Sequence, residues 1–577
     1  MASSGNFCTL NPLDCDDAGD LINGNLTLSH TDSAWRTAFG NMGVSSGKWY
    51  FESRQVNSAS GNGYAIAVQR MSEGLNYKSW TAQGVGGSVG TYGYGYAFYT
   101  KGSGDASEKV HNNSYVTTSD ITAGVAGDVY QIALDLDNNK VWFGKNNTWH
   151  NSGDPANNSN ETYCSHPAGT YCSAVCVYTT SSDYFTHNYG QDSTFGGVAT
   201  AGGNADGNGF GDFAYAPPTG FLAMCSANLS ISDDIDPAQT DDDFPGKQFE
   251  AIAYTGSGGN NAITGLGFQP DLVWMKRRAA NASVSNALVD SSRGRANILW
   301  SSRTVAESTN SSSTQDLKSF DSDGFTLGVN ENADVNGSSD TYVAWAWRAN
   351  GGTTASNSNG SITATVQANT AAGFSIATYT SPGSGTNHTV GHGLSGVDFI
   401  ITKDRDSTFN WYCFHKSVPD NTFRLNSTTA NFSYSNWSMG SSTWGSEDGY
   451  THNSTDKFVA YCWQNVEGFQ KFGTYVGNGN TDGPFIYTGF RPRFIITKSS
   501  TTTSGWNLRD SARSTFNPVN RVSQADTTSA ELTSNYDTDF LSNGFKIRAS
   551  GADSNSNGDT YFYAAWGDVP FKYNNTF

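Results

Sequence analysis

Charge is scarce in this chain. Of 577 residues, 15% are Asp, Glu, Lys or Arg, against roughly 25% in ordinary globular chains. Basic residues are the scarcer kind: 33 Lys and Arg against 52 Asp and Glu leave a net charge of −19. The one compact basic run is Lys276-Arg277-Arg278. A surface that binds by neutralising phosphates needs far more, so no nucleic-acid partner is expected. Long apolar runs are also missing. None approaches the ~18 residues that span a bilayer, and no membrane insertion is expected. The first residues, Met1 to Asp17, show no basic start and no apolar stretch, so no secretory signal is expected. Several familiar catalytic signatures are lacking: there is no P-loop, H-E-x-x-H or paired C-x-x-C. Neither an enzymatic activity nor a cofactor is expected. Eight cysteines are scattered; Cys164, Cys172 and Cys176, with His166 among them, lack the tight paired spacing of a zinc site. They are read as free thiols, and no metal is expected.

What takes the place of charge is Gly, Ser, Thr and Asn, together with 13% aromatics. These residues suit strands, turns and β-surface, and suit helices poorly. An all-β fold is expected, and internal repetition supports it. "DTYVAWAW" (Asp340–Trp347) has two relatives, "DKFVAYCW" (Asp456–Trp463) and "DTYFYAAW" (Asp559–Trp566). Each is preceded by a turn-opening tyrosine: Tyr254, Tyr379 and Tyr475. Each then has an apolar strand ending in lysine: Lys276, Lys403 and Lys498. The tyrosine-to-aspartate spans are nearly equal. Three copies of one β-domain follow, and the closing strand alternates. Val343, Trp345 and Trp347 share one face and Tyr342 and Ala344 the other, as in a sandwich core, so the tryptophans are read as core.

The expected organisation is a β-sandwich domain at 1–231 and an acidic linker at 232–246. A first β-repeat domain follows at 247–350, then a Gly/Ser/Thr/Asn linker at 351–371. The second repeat domain is placed at 372–467 and the third at 468–577. The missing spacer between the last two predicts a rigid tandem of those copies. The aspartates of the acidic linker lack the Gly and terminal Glu of an EF-hand loop, so a solvated linker is expected rather than a calcium site.

In the first domain, "GKWYFES" (Gly47–Ser53), "YAIAVQR" (Tyr64–Arg70) and "GDVYQIALDLDNNKVWFGKNNTW" (Gly127–Trp149) occur in order. The last reads as a hairpin tipped by Asp-Asn-Asn. This set resembles the SPRY family, and the resemblance implies a concanavalin- or jelly-roll-like β-sandwich. The repeats, through "TVGHGLSGVDFIITKDRD", "EGFQKFGTYVGNGNTDGPFIYTGFRPRFIITK" and "DFLSNGFKIR", resemble domains of unknown function in virion proteins of tailed phages. That resemblance implies a structural protein on the virion, assembled in the bacterial cytoplasm. It would be a tail-fibre or capsid-attached appendage that binds other virion proteins and a host-surface glycan or protein receptor. A decoration protein without receptor binding and a glycan-degrading spike are the alternatives.

Candidate functional residues are few. Tyr92, Tyr94 and Tyr96 in "TYGYGYAFY" alternate with Gly93 and Gly95. They read as an exposed tyrosine ladder, a pre-ordered contact surface. His392 and His415 share one repeat without counterparts in the others and read as structural. Asp135 and Asp137 could serve as paired carboxylates, but flank a turn and read as solvent-facing. Multivalent display favours several copies per particle, expected as a homotrimer joined through β-domain faces.

Overall fold

The computed structural model describes two compact units. In the N-terminal unit these are residues 6–15, 17–29, 35–56, 63–71, 95–101, 108–111, 114–117, 124–164, 167–178 and 184–229. In the C-terminal unit they are residues 244–279, 285–310, 312, 314–331, 334–383, 388–419, 421–433, 437–446 and 455–570. Both units are β-structure; one short α-helix, Ala552–Asn555, occurs among the described residues.

The N-terminal unit holds two sheets. One runs in the order Leu10–Cys15, Trp35–Gly40, Tyr171–Tyr178, Gly63–Arg70, Gly95–Lys101, Glu108–His111, Ser114–Thr117. The other centres on Lys48–Gln55, flanked by Val129–Asp135 and Tyr184–Asn188. The hairpin expected around Asp137 forms, with Asp135 opposite Lys140. Lys48–Gln55 departs from simple alternation, because Trp49, Tyr50, Phe51 and Glu52 are all buried. The segment from Phe213 to Cys225 covers the second face of that strand. Phe213 sets its ring edge-on to Tyr50 with centroids 5.1 Å apart.

In the C-terminal unit each repeat is built alike, from a large antiparallel sheet and a three-stranded one. The first repeat orders its large sheet Phe249–Thr255, Thr341–Trp347, Leu272–Arg277, Ala287–Asp290, Asn297–Trp300, Ser308–Thr309. The corresponding strands of the second are Phe374–Thr380, Lys457–Trp463, Phe399–Asp404, Tyr412–His415 and Asn421–Arg424. Those of the third are Gln470–Val476, Thr560–Pro570, Phe490–Ser499, Asn507–Asp510 and Val522–Gln524. The aromatic closing strand is thus not at an edge. It sits between the opening strand and the lysine strand, paired on both sides. The opening tyrosine stacks on the closing strand in every copy: Tyr254 on Tyr342, Tyr379 on Phe458, Tyr475 on Tyr561, with planes within 13°.

Each large sheet has two buried faces. The outer face and the three-stranded sheet enclose a core private to the repeat, such as Val273, Met275, Phe325 and Ala344 in the first. The inner faces of all three copies meet in one shared core. Trp347, Trp463 and Trp566, equivalent by register, meet there. Their centroids lie 5.8, 5.4 and 5.8 Å apart, each pair steeply inclined. Edge-to-face packing of this kind adds about 0.5–1.5 kcal/mol per pair beyond area burial.

Two expectations about connections change. The segment 351–371, expected as a flexible linker, carries strands Ala355–Asn357 and Ala364–Asn369, which extend the second repeat's sheet. Ala364 and Val366 supply its alternating apolar face, a signal obscured by the surrounding Asn and Ser. The rigid tandem of the last two copies is part of a larger whole, because the first copy joins the same shared core. Most of the acidic stretch 232–246 lies outside the described residues.

Candidate functional site

The seams between repeats concentrate the polar chemistry of the C-terminal unit. Between the second and first copies, Trp411 Nε1 donates to the Trp300 carbonyl (2.8 Å) and Tyr461 Oη to Asp290 Oδ2 (2.8 Å). Arg405 grips Glu307 through Nη2 (2.7 Å) and Nε (3.0 Å). Between the first and third, Asn286 Nδ2 donates to the Gln524 carbonyl (3.2 Å) and Trp345 Nε1 to Asp510 Oδ2 (3.1 Å). Arg278 pairs there with Glu531 (2.8 Å). Between the third and second, Trp506 Nε1 donates to the Arg424 carbonyl (2.9 Å), and His415 Nε2 to the Tyr563 carbonyl (3.1 Å). Apart from His415, which donates back from the second copy to the third, the donors point in the same sense, second to first, first to third, third to second. A head-to-tail contact that closes after three steps is a cyclic, pseudo-threefold arrangement within one chain.

The copies differ where charge is involved. Asp290 and Asp510 hold Arg293 and Arg513 three residues on, and all four side chains are fully buried. The second copy has His415 and Val418 at these places. Its seam with the third copy also lacks the Arg–Glu pair. Ser500 stands where Arg278 and Arg405 stand, two residues past the strand lysine. Asn431 stands where Glu307 and Glu531 stand. Burial lowers the His415 pKa to about 4; its ring lies among Phe399, Phe472 and Phe562. The three strand lysines are buried too. Lys276 and Lys498 reach carbonyls of the neighbouring copy, Thr527 (2.9 Å) and Thr428 (3.1 Å), whereas Lys403 bonds Ser407 of its own (3.2 Å). Burial lowers each of the three to about 8.

One groove opens beside the first of these seams, with a volume of about 430 Å³. Threonines 363, 365, 378 and 380 line it with Arg405 and Lys457. The register explains the arrangement: Thr365 lies opposite Thr378, and Thr380 opposite Lys457.

The residues singled out from sequence fall as follows. Tyr92 and Tyr94 lie outside the described residues. The Tyr96 backbone lies in strand Gly95–Lys101, opposite Val68 and His111. His392 and His415 do not share a site. His392 accepts from the Leu394 amide (3.1 Å) and its Nε2 meets the Gly440 carbonyl (3.3 Å). Asp135 corrects the solvent-facing reading: it is fully buried and paired with Lys48 at 3.0 Å, because the turn folds back under Asn138. Asp137 is a turn acceptor for the Gly47 amide (2.7 Å). Cys164 is exposed, while Cys172 and Cys176 are buried. No group of three metal-ligating side chains occurs among the described residues.

Two buried titratable groups of the N-terminal unit gave no sequence signal. Glu52 accepts from the amides of Ala214 (2.9 Å) and Tyr215 (2.8 Å) and from Tyr50 Oη (2.8 Å). Burial raises its pKa to about 6 against these donors. It ties the 213–225 cover to the central strand. His187, stacked on Tyr189, is lowered to about 3 by burial.

A family model described as "Domain of unknown function (DUF7483)" matches residues 244–570. The chain belongs to this family. The DUF7483 region takes in all three repeats and hence the closed ring of seams. Among solved structures, the chain is similar to the SPRY domain of human HERC1, with 15% identity and a TM-score of 0.22. That match covers 31% of this chain and 96% of that one. It is also similar to the TRIM65 PSpry domain, with 13% identity and a TM-score of 0.23, covering 31% and 89%. No curated protein matches the chain.

Proposed function

We propose that this protein is a non-enzymatic structural protein of a tailed-phage virion, a tail-fibre or capsid-attached appendage that presents β-sandwich domains to the host surface. One observation carries the structural half of this reading. Two ion pairs of the DUF7483 region with fully buried side chains, Asp290–Arg293 and Asp510–Arg513, have aspartates that accept hydrogen bonds from the neighbouring copy. Charge is committed to holding a rigid body together. The phage setting rests on the resemblance of the repeat motifs. Other virion proteins and a host-surface receptor are the partners this reading implies, with copies displayed as a homotrimer. Antibody against the purified chain should decorate virions at one structural feature in electron micrographs. It should also block adsorption to host cells. Virions without the antigen would remove the proposal, and decoration without any effect on adsorption would leave a structural decoration protein.

A further inference from the structure

We propose that the groove at the second repeat binds an acidic saccharide, a short sugar carrying a carboxylate or sulfate. This rests on the adhesive reading above and names the ligand class for it. About 430 Å³ lies within the ~300–1,000 Å³ of small-molecule sites. Thr363, Thr365, Thr378 and Thr380 offer hydroxyls that both donate and accept, as a sugar requires. Thr365, Thr378 and Thr380 stand on paired strands, so little side-chain freedom is lost on binding. Ile362 and Pro382 supply apolar surface for a ring's C–H face. Lys457 is exposed and has no carboxylate within ion-pair distance among the described residues. Arg405 is held in place by Glu307. No acidic side chain lines the groove, in a chain of net charge −19. That overall charge disfavours a long polyanion and favours a ligand with one or two anionic groups.

The repeats supply an internal comparison. Where the second copy has Lys457 opposite Thr380, the first has Thr341 opposite Thr255, and the third Thr560 opposite Val476. The strand Ala364–Asn369, which forms one wall, extends the second copy's opening strand and not those of the others. Its Gln367 donates to Ser291 (2.9 Å) and Ser292 (2.8 Å) of the first copy, so the wall is fixed in place. Closing the ring requires no Lys457, since the other seams close with threonine there.

Calorimetric titration of the purified full chain tests this with three probes: a uronate disaccharide, a sulfated disaccharide and a neutral disaccharide. Saturable binding of one or both acidic probes, at least ten-fold tighter than the neutral one and weakened by salt, is expected. Lys457→Ala should weaken it about ten-fold or more, and Thr365→Val/Thr378→Val should weaken it also, with unchanged circular dichroism and melting. Absence of binding by all three probes, preference for the neutral one, or unaltered affinity in the folded variants would overturn the proposal. The adhesive reading fails separately: soluble sugar binding that depends on Lys457, combined with no attachment to host cells, would remove adhesion and keep the groove.

Discussion

Replacing Arg293 with methionine tests the idea that seam charges hold the repeats together. The guanidinium is fully buried. It bonds Asp290 Oδ2 through Nε, Glu307 Oε2 through Nη1 (2.6 Å), and both the Leu288 carbonyl (3.3 Å) and Tyr461 Oη (3.1 Å) through Nη2. Methionine keeps much of the stem's packing and removes the charge. Glu307 retains Arg405, but Asp290 keeps just the Arg293 amide (2.8 Å) and Tyr461 Oη as donors. Stranding a buried charge in this way costs about 3–5 kcal/mol. Asp290→Asn in the same chain removes the stranded charge. The double variant should therefore lose less than the sum of the single losses, with a coupling on the order of 1–3 kcal/mol. Urea unfolding followed by tryptophan fluorescence reads the effect, because Trp274, Trp345, Trp347 and Trp463 lie in the shared core. A loss below about 1 kcal/mol, as an exposed pair would give, or strict additivity with Asp290→Asn, would refute the reasoning.

The seam lacking an ion pair invites repair. Ser500→Arg with Asn431→Glu should raise the unfolding free energy by up to about 1 kcal/mol, and neither change alone should; a double variant no more stable than the single ones contradicts the register given to that seam. His415 makes the unit acid-sensitive. Its folded pKa of about 4 lies below its ordinary 6.5, so the unfolded chain takes up the proton first. The contribution is complete above about pH 6.5 and is lost as pH falls towards 4, on the order of 3 kcal/mol in all. His415→Phe should flatten the stability profile over that window, and an unchanged slope would show that His415 does not titrate as described. In the N-terminal unit, Glu52→Ala strips the Ala214 and Tyr215 amides of their acceptor. It should cost about 1–3 kcal/mol and raise proteolysis after residue 210; equal protection in both proteins would contradict its tethering role.

Much of the β-architecture was legible because it repeats. The alternation of Val343, Trp345 and Trp347 gives the face of the strand, and three copies of one pattern give its importance. The pattern could not say that the large faces of three copies meet one another. A tryptophan packed against its own repeat and one packed against a neighbour have the same sequence signature. The seam partners are likewise hidden: Tyr461 and Asp290 lie far apart in the chain, and nothing local to either predicts the other. Aligned copies do hold a trace of it, since Ser500 and Asn431 replace an Arg and a Glu together. The groove was missed because threonines on a strand read as ordinary β-surface. Asp135 was misread because the turn beside it looked exposed while Lys48, on another strand, could not be placed from sequence.

The central claim is that the three repeats form one cooperative body through a closed ring of seams. Native-state hydrogen exchange on the full chain carrying Trp566→Ala tests it directly. Removing this side chain from the centre should cost about 3–5 kcal/mol. If the ring is one unit, protection should fall by comparable free energies in Leu272–Arg277 of the first copy, Phe399–Asp404 of the second and Phe490–Ser499 of the third. Loss of protection confined to the third copy, with the other two exchanging as in the unaltered protein, would contradict it.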